Sequence, residues 1–112
     1  MKSTLLKMPK QSEAEITKAI RGVLKTLGVV HFKQHQGLGS TPGIPDILGI
    51  WNGRFLAIEV KTNAGKLTEK QSDWIDKINR AGGLAFVARS IDDVIDNLGI
   101  HDRILFSRKK DF

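Results

Sequence analysis

The stretch "GIPDILGIWNGRFLAIEVKT", residues 43–62, holds two apolar runs joined by Asn52-Gly53. Asn-Gly between apolar runs is the strongest short-range signal for a two-residue type I′ hairpin, because both turn positions need positive φ. Such a turn fixes the register of the strands it joins. Trp51 then faces Arg54, Ile50 faces Phe55, Leu48 faces Ala57, and Asp46 faces Glu59. Asp46 and Glu59 are therefore expected on one face of a sheet, as a non-hydrogen-bonded pair with Cβ atoms about 4.5–5.5 Å apart. Lys61, two residues beyond Glu59, projects from the same face.

Directly opposed like charges destabilise a sheet. At about 5 Å and an effective dielectric near 20 the repulsion is about 3 kcal/mol. A shared proton, a cation or solvent at a frayed strand end must offset it. Lys61 supplies one positive charge, and a divalent metal would supply two. Taken singly, Asp46 after Pro45 reads as turn chemistry, and Glu59 with Lys61 as a solvated edge pair. Together, in a register set by the turn, they favour a metal site.

Working outward, "SEAEITKAIRGVLKTLG" (12–28) opens with a capping box, Ser12 at the N-cap and Glu15 at N3. Ile16, Ile20, Val23, Leu24 and Leu27 recur at helical spacing. At about 100° per residue Glu13 falls within roughly 40° of the centre of that stripe, whereas Glu15 points nearly opposite. Glu13 is thus expected to face the core side and to approach the acid pair if this helix packs over their face. "VVHFKQHQG" (29–37) reads as a strand and "GLGSTPG" (37–43) as a flexible loop. "TEKQSDWIDKINRAGG" (68–83) is a second helix with Thr68 as N-cap, Gln71 at N3 and two closing glycines. "LAFVA" (84–88) suits a strand covered on both faces. Ser90 starts a last helix, and "HDRILFSRKKDF" (101–112) offers a further short strand before a basic end. The order is α-β-β-β-α-β: an α/β domain with a central mixed sheet flanked by helices.

The 112 residues suit one domain, spanning 12–112, behind a basic flexible arm of residues 1–11. The formal charge of +6 favours a polyanionic partner. There is no cysteine, hence no disulfide or thiolate zinc site, and no apolar run long enough to span a membrane. An intracellular, cytoplasmic location without membrane attachment is expected. His31 and His35 share a strand face but sit about 13 Å apart by strand rise, too far for one ion. The glycine loop lacks the lysine of a Walker A motif and leads into a strand, which argues against an NTPase.

"PD" at 45–46 followed by "EVK" at 59–61 resembles the motif of the PD-(D/E)XK nuclease superfamily. "GIPDILG…AIEVKT…LTEKQSDWIDKINRAGGLAFVA" is similar, more narrowly, to a stand-alone VRR-NUC domain, from about Ser12 to Ser90. The resemblance implies a restriction-endonuclease-like core and a Mg²⁺- or Mn²⁺-dependent DNA endonuclease. It implies that Asp46 and Glu59 bind metal with help from the Val60 backbone carbonyl. It further implies that Lys61 orients or activates the attacking water, and that Glu13 (Glu15 being the adjacent alternative) and Gln71 complete the catalytic set. The resemblance also points to branched DNA, including four-way junctions, and to phage or bacterial origin. Symmetric cutting of two strands requires two active sites, hence a homodimer. His35, Ser40, Thr41 and Lys66 are candidate DNA contacts. The rival readings are a non-catalytic nucleic-acid-binding module and a nuclease acting on single-stranded ends or RNA.

Overall fold

The computed structural model describes residues 10–35 and 41–101. Chain order is α1 (Glu13–Thr26), β1 (His31–Lys33), β2 (Ile47–Trp51), β3 (Arg54–Val60), α2 (Glu69–Arg80), β4 (Leu84–Ala88) and α3 (Ile91–Leu98). The strands lie in the order β1-β2-β3-β4, the first two pairings antiparallel and the last parallel. The expected mixed sheet is present. The basic arm and the C-terminal strand fall outside the described residues, apart from Lys10, Gln11 and His101.

Local chemistry sets the element starts. Ser12 accepts the Glu15 N–H while Glu15 Oε1 accepts the Ser12 N–H, closing the box at 3.1 and 2.9 Å. Thr68 and Gln71 repeat the device at the head of α2. Ser90 caps α3 through the Asp93 N–H. The hairpin turns on Asn52 (φ 49°) and Gly53 (φ 78°), in the expected register from Trp51–Arg54 to Ile47–Ile58.

Two strands are shorter than their sequences suggest. β2 starts at Ile47, because Pro45 has no N–H with which to extend the ladder. β1 keeps only three residues of the nine expected, so His35 lies past its end.

The sheet faces are unequal. Ile47, Trp51, Leu56, Ile58, Val60, Phe86 and Ala88 project to one side, where Ile16, Ile20 and Leu24 of α1 and Val94 and Leu98 of α3 cover them. On the other side Ala57 and Ala85 meet Ile78 of α2, with Leu48, Trp74 and Ile75 packed around them. Strand alternation puts Asp46, Glu59 and Lys61 on this second side, the side of α2.

Candidate active site

The acids meet at the end of the central hairpin. Asp46, one residue before β2, is held at both ends: its carbonyl accepts the Gln34 N–H at 2.6 Å, and its Oδ2 accepts the Val60 N–H at 2.8 Å. The second bond takes up the β3 amide that the ladder leaves over at Pro45. Glu59 is the only buried charged side chain among the described residues, 2% exposed. Its Oε2 accepts from Gln71 Nε2 at 3.2 Å, while Oε1 is buried with no donor. Burial pushes the Glu59 carboxyl up to about 8, chiefly by desolvation. A hydrogen bond to Asp46 and the charge of Asp46 add to the rise, Lys61 opposes it, and Glu13 adds a last small increment. At neutral pH without a cation, Glu59 is therefore mostly protonated.

Lys61 continues β3 with its N–H on the Ala88 carbonyl at 3.1 Å. The following loop folds over its stem: a Cβ on Gly65 would lie 3.3 Å from Lys61 Cδ. Arg89, just after β4, holds that loop by donating to the carbonyls of Thr62, Asn63 and Gly65. Nothing in the sequence singles Arg89 out, because its partners are backbone atoms more than 20 residues away. Gln71 does two things at once: Oε1 closes the α2 cap on the Thr68 N–H, and Nε2 reaches Glu59.

Glu13 departs from expectation. It is exposed on the first turn of α1, and α1 packs against the sheet face opposite the acids. Helical spacing identifies the apolar stripe of a helix but not which sheet face that stripe meets. Glu13 acts on Glu59 through its charge. Glu15 is tied up in the cap, where the Ser12 N–H holds its carboxyl below the usual range.

No group of three His, Cys, Asp or Glu side chains is close enough to cage a metal among the described residues. Asp46 and Glu59, close enough to interact, offer a partial hard-oxygen donor set. Mg²⁺ typically takes one or two carboxylates and keeps waters and substrate oxygens for the rest. Glu59 Oε1, a buried hard donor atom with no protein group on it, fits such an ion.

Beside the end of the sheet a cleft of about 630 Å³ opens between the start of α1 and the loop after β3, lined by Lys10, Glu15, Thr62, Asn63 and Arg89 among others. His35, Thr41 and Lys66 are exposed, and Ser40 lies outside the described residues.

The profile of the VRR-NUC domain matches residues 4–92, most of the chain. The chain belongs to the VRR-NUC family. Two solved structures share its fold. One, described as a VRR_NUC domain protein, is 21% identical with a TM-score of 0.66, covering 80% of this chain and 86% of its own. Another, described as a VRR_NUC domain, is 26% identical with a TM-score of 0.64, covering 80% and 95%. Among curated proteins none matches the chain. The fold is thus restriction-endonuclease-like, of the PD-(D/E)XK class, and the domain is of nuclease type. No described helix is long and apolar enough to cross a membrane.

Proposed function

We propose that this VRR-NUC domain is a divalent-metal-dependent DNA endonuclease that hydrolyses phosphodiester bonds at the Asp46–Glu59–Lys61 cluster. The observation that carries the reading is a buried glutamate with an unpartnered oxygen, set against a second carboxylate and beside a lysine. With Glu59 ionised that oxygen is buried and unpaired against a second carboxylate, a cost that only a proton shared with Asp46 or a bound cation removes.

In this reading Asp46, Glu59 and the Val60 carbonyl hold Mg²⁺ or Mn²⁺, which when bound lowers the pKa of attacking water and polarises the phosphate. Glu59 loses its proton on loading. Gln71 keeps the Glu59 carboxylate turned toward Asp46, and the Val60 N–H fixes Asp46 by its other oxygen. Lys61 orients the water or balances charge on the pentacovalent phosphate. Glu13 has a lesser part, adding negative potential at the mouth of the site. Lys66, His35 and Thr41, all exposed, are proposed to meet the DNA backbone, as is Ser40, which lies outside the described residues.

The DNA is proposed to be branched, four-way junctions included. That reading carries over the resemblance of the chain to stand-alone VRR-NUC domains. Cutting both strands of a junction symmetrically needs two such sites, so the working form is a homodimer. The test is cleavage of an end-labelled four-way junction beside matched duplex and single strand, with Mn²⁺, Mg²⁺ or EDTA. Metal-dependent junction cutting that Asp46→Asn abolishes is expected. Equal cutting of all three substrates removes the structural selectivity. Metal-independent binding with no cutting overturns the enzymatic reading.

A further inference from the structure

Trp74 of α2 has surroundings that core packing alone does not explain. It is half-buried and packs against the Ala57–Ile78–Ala85 cluster. At about 100° per residue it stands at the edge of the α2 apolar stripe, with Lys70 and Lys77 next round the helix. The Lys77 ammonium lies over the indole, 5.2 Å from the ring centroid. These three side chains, with Asp73 and Pro42, line a pocket of about 240 Å³. Gly43 seats the Pro42 wall on the helix, since a Cβ there would meet the Lys70 backbone at 2.8 Å. Both walls lead to the acids. Gln71, next to Lys70, donates to Glu59, and Asp46 follows shortly after Pro42. Trp74 is one turn beyond Gln71, about 4.5 Å of helix rise, on the sheet side that carries the acids.

We infer that this pocket takes an unpaired base of the DNA strand being cut, stacked on Trp74, with Lys70 and Lys77 on its flanking phosphates. The inference rests on the proposed function and narrows its substrate: the strand must offer a free base face close to the scissile phosphate. Every base has a π-face, so an aromatic ring accepts any of them, while the ammoniums attract the backbone that links them. In paired DNA both faces of a base are already stacked on neighbours, so a fully paired arm has none to give without unstacking. Branch points, flaps and frayed ends do. The pocket has room for one base and not for a base pair. Lys77 covers the ring in the free protein, but an exposed cation–π contact is weaker than a stacked base. The base therefore displaces the ammonium, and a phosphate receives it. Asp73, in the same lining, leaves the pocket with two cations against one acid. The other tryptophan, Trp51, belongs to the core and offers no such face.

The test reads tryptophan fluorescence of the full chain in EDTA, so its outcome does not depend on cleavage. Anisotropy of labelled DNA follows binding in parallel. A duplex carrying one unpaired thymidine, and a short oligothymidylate, are expected to quench the emission, whereas a fully paired duplex at equal occupancy is not. Trp51, being buried, contributes an unchanged background. Trp74→Leu should weaken binding of the duplex with the unpaired thymidine roughly 5- to 150-fold, the scale of one base–aromatic stack, and leave paired-duplex affinity unchanged. Trp74→Phe should recover most of that loss. Because Trp74 also packs on the core, the unsubstituted chain supplies a second readout. With 5-iodouracil in the unpaired position, irradiation should cross-link the DNA to the peptide that holds Trp74. No binding by any of these DNAs, or bound DNA that leaves the emission unchanged, overturns the proposal. So does equal quenching by the paired duplex, or a cross-link confined to other peptides. Metal-dependent cutting by a protein that fails these tests would leave the nuclease reading intact and remove only the base pocket.

Discussion

Glu59 couples stability to pH in an unusual direction. Burial pushes its carboxyl up to about 8 in the fold from 4.5 when exposed, so the folded state binds the extra proton between those values. Stability follows the difference in bound protons, and here the native state holds more. The Glu59 contribution is therefore fully present below pH 4.5 and is lost as pH rises to about 8. The metal-free protein should melt at progressively lower temperature across that window, and Glu59→Gln should flatten the slope. A divalent cation must displace the proton, so Mg²⁺ or Mn²⁺ should raise the melting temperature more at pH 8 than at pH 6. Differential scanning fluorimetry over pH, with and without metal, checks both. A slope of opposite sign would mean Glu59 is ionised and satisfied in the free protein. Arg89 acts at one remove, by holding the loop that lies over Lys61. Arg89→Ala should lower kcat roughly 10–100-fold, the usual scale for a residue supporting a site ligand, with little change in KM. A loss confined to KM would make Arg89 a DNA contact instead.

Among the elements, α2 links the fold to the site. Its first turn is pressed against Gly43, whose φ is +83°; a Cβ there would sit 2.8 Å from the Lys70 backbone. Gly43→Ala must therefore push away the turn that carries Gln71, on top of a strain of order 1–3 kcal/mol. We expect a stability loss of that size by urea unfolding, together with weaker metal binding by calorimetry. Wild-type metal affinity in a destabilised variant would disconnect Gln71 from the site. Gly49 is a purely structural counterpart. A Cβ there would lie 2.4 Å from the Val30 carbonyl, so Gly49→Ala should cost about 1–3 kcal/mol by driving β1 off β2. The elements were legible to the extent that their signals are local. Ser12 with Glu15, Thr68 with Gln71, and Asn52 with Gly53 each act within four residues, and all three formed as expected. What depends on distant packing was not legible. The stripe on α1 was legible but the sheet face it meets was not, and Glu13, expected toward the core, is exposed while its charge still reaches Glu59. β1 was overextended because nothing in Gln34, His35 and Gln36 marks an end before Gly37, whereas the partner strand stops at Ile47, opposite Lys33.

At the scale of the whole molecule, charge and chemistry are divided between different residues. The chain carries +6 overall, yet the site is built on two acids whose negative charge opposes DNA phosphate unless a proton or a cation offsets it. The acid pair could be read from the sequence because one turn fixes both members. The path of the DNA could not, because surface lysines carry no periodicity that says which phosphate they meet. The division leads to a separation of functions. Asp46→Asn removes a negative charge and a metal ligand together, so it should bind junction DNA at least as tightly as the native protein without metal, while cleaving nothing. Binding carried by lysine and arginine releases counterions, so its affinity should fall steeply between about 50 and 200 mM salt. Lys66→Ala should reduce the slope of log affinity against log salt by about one if Lys66 contacts a phosphate, and should weaken junction and duplex alike. Fluorescence anisotropy with labelled junctions over a salt series measures all three. If Asp46→Asn lost binding in proportion to cleavage, the acids rather than the basic surface would organise the bound DNA, and the +6 charge would serve solubility alone.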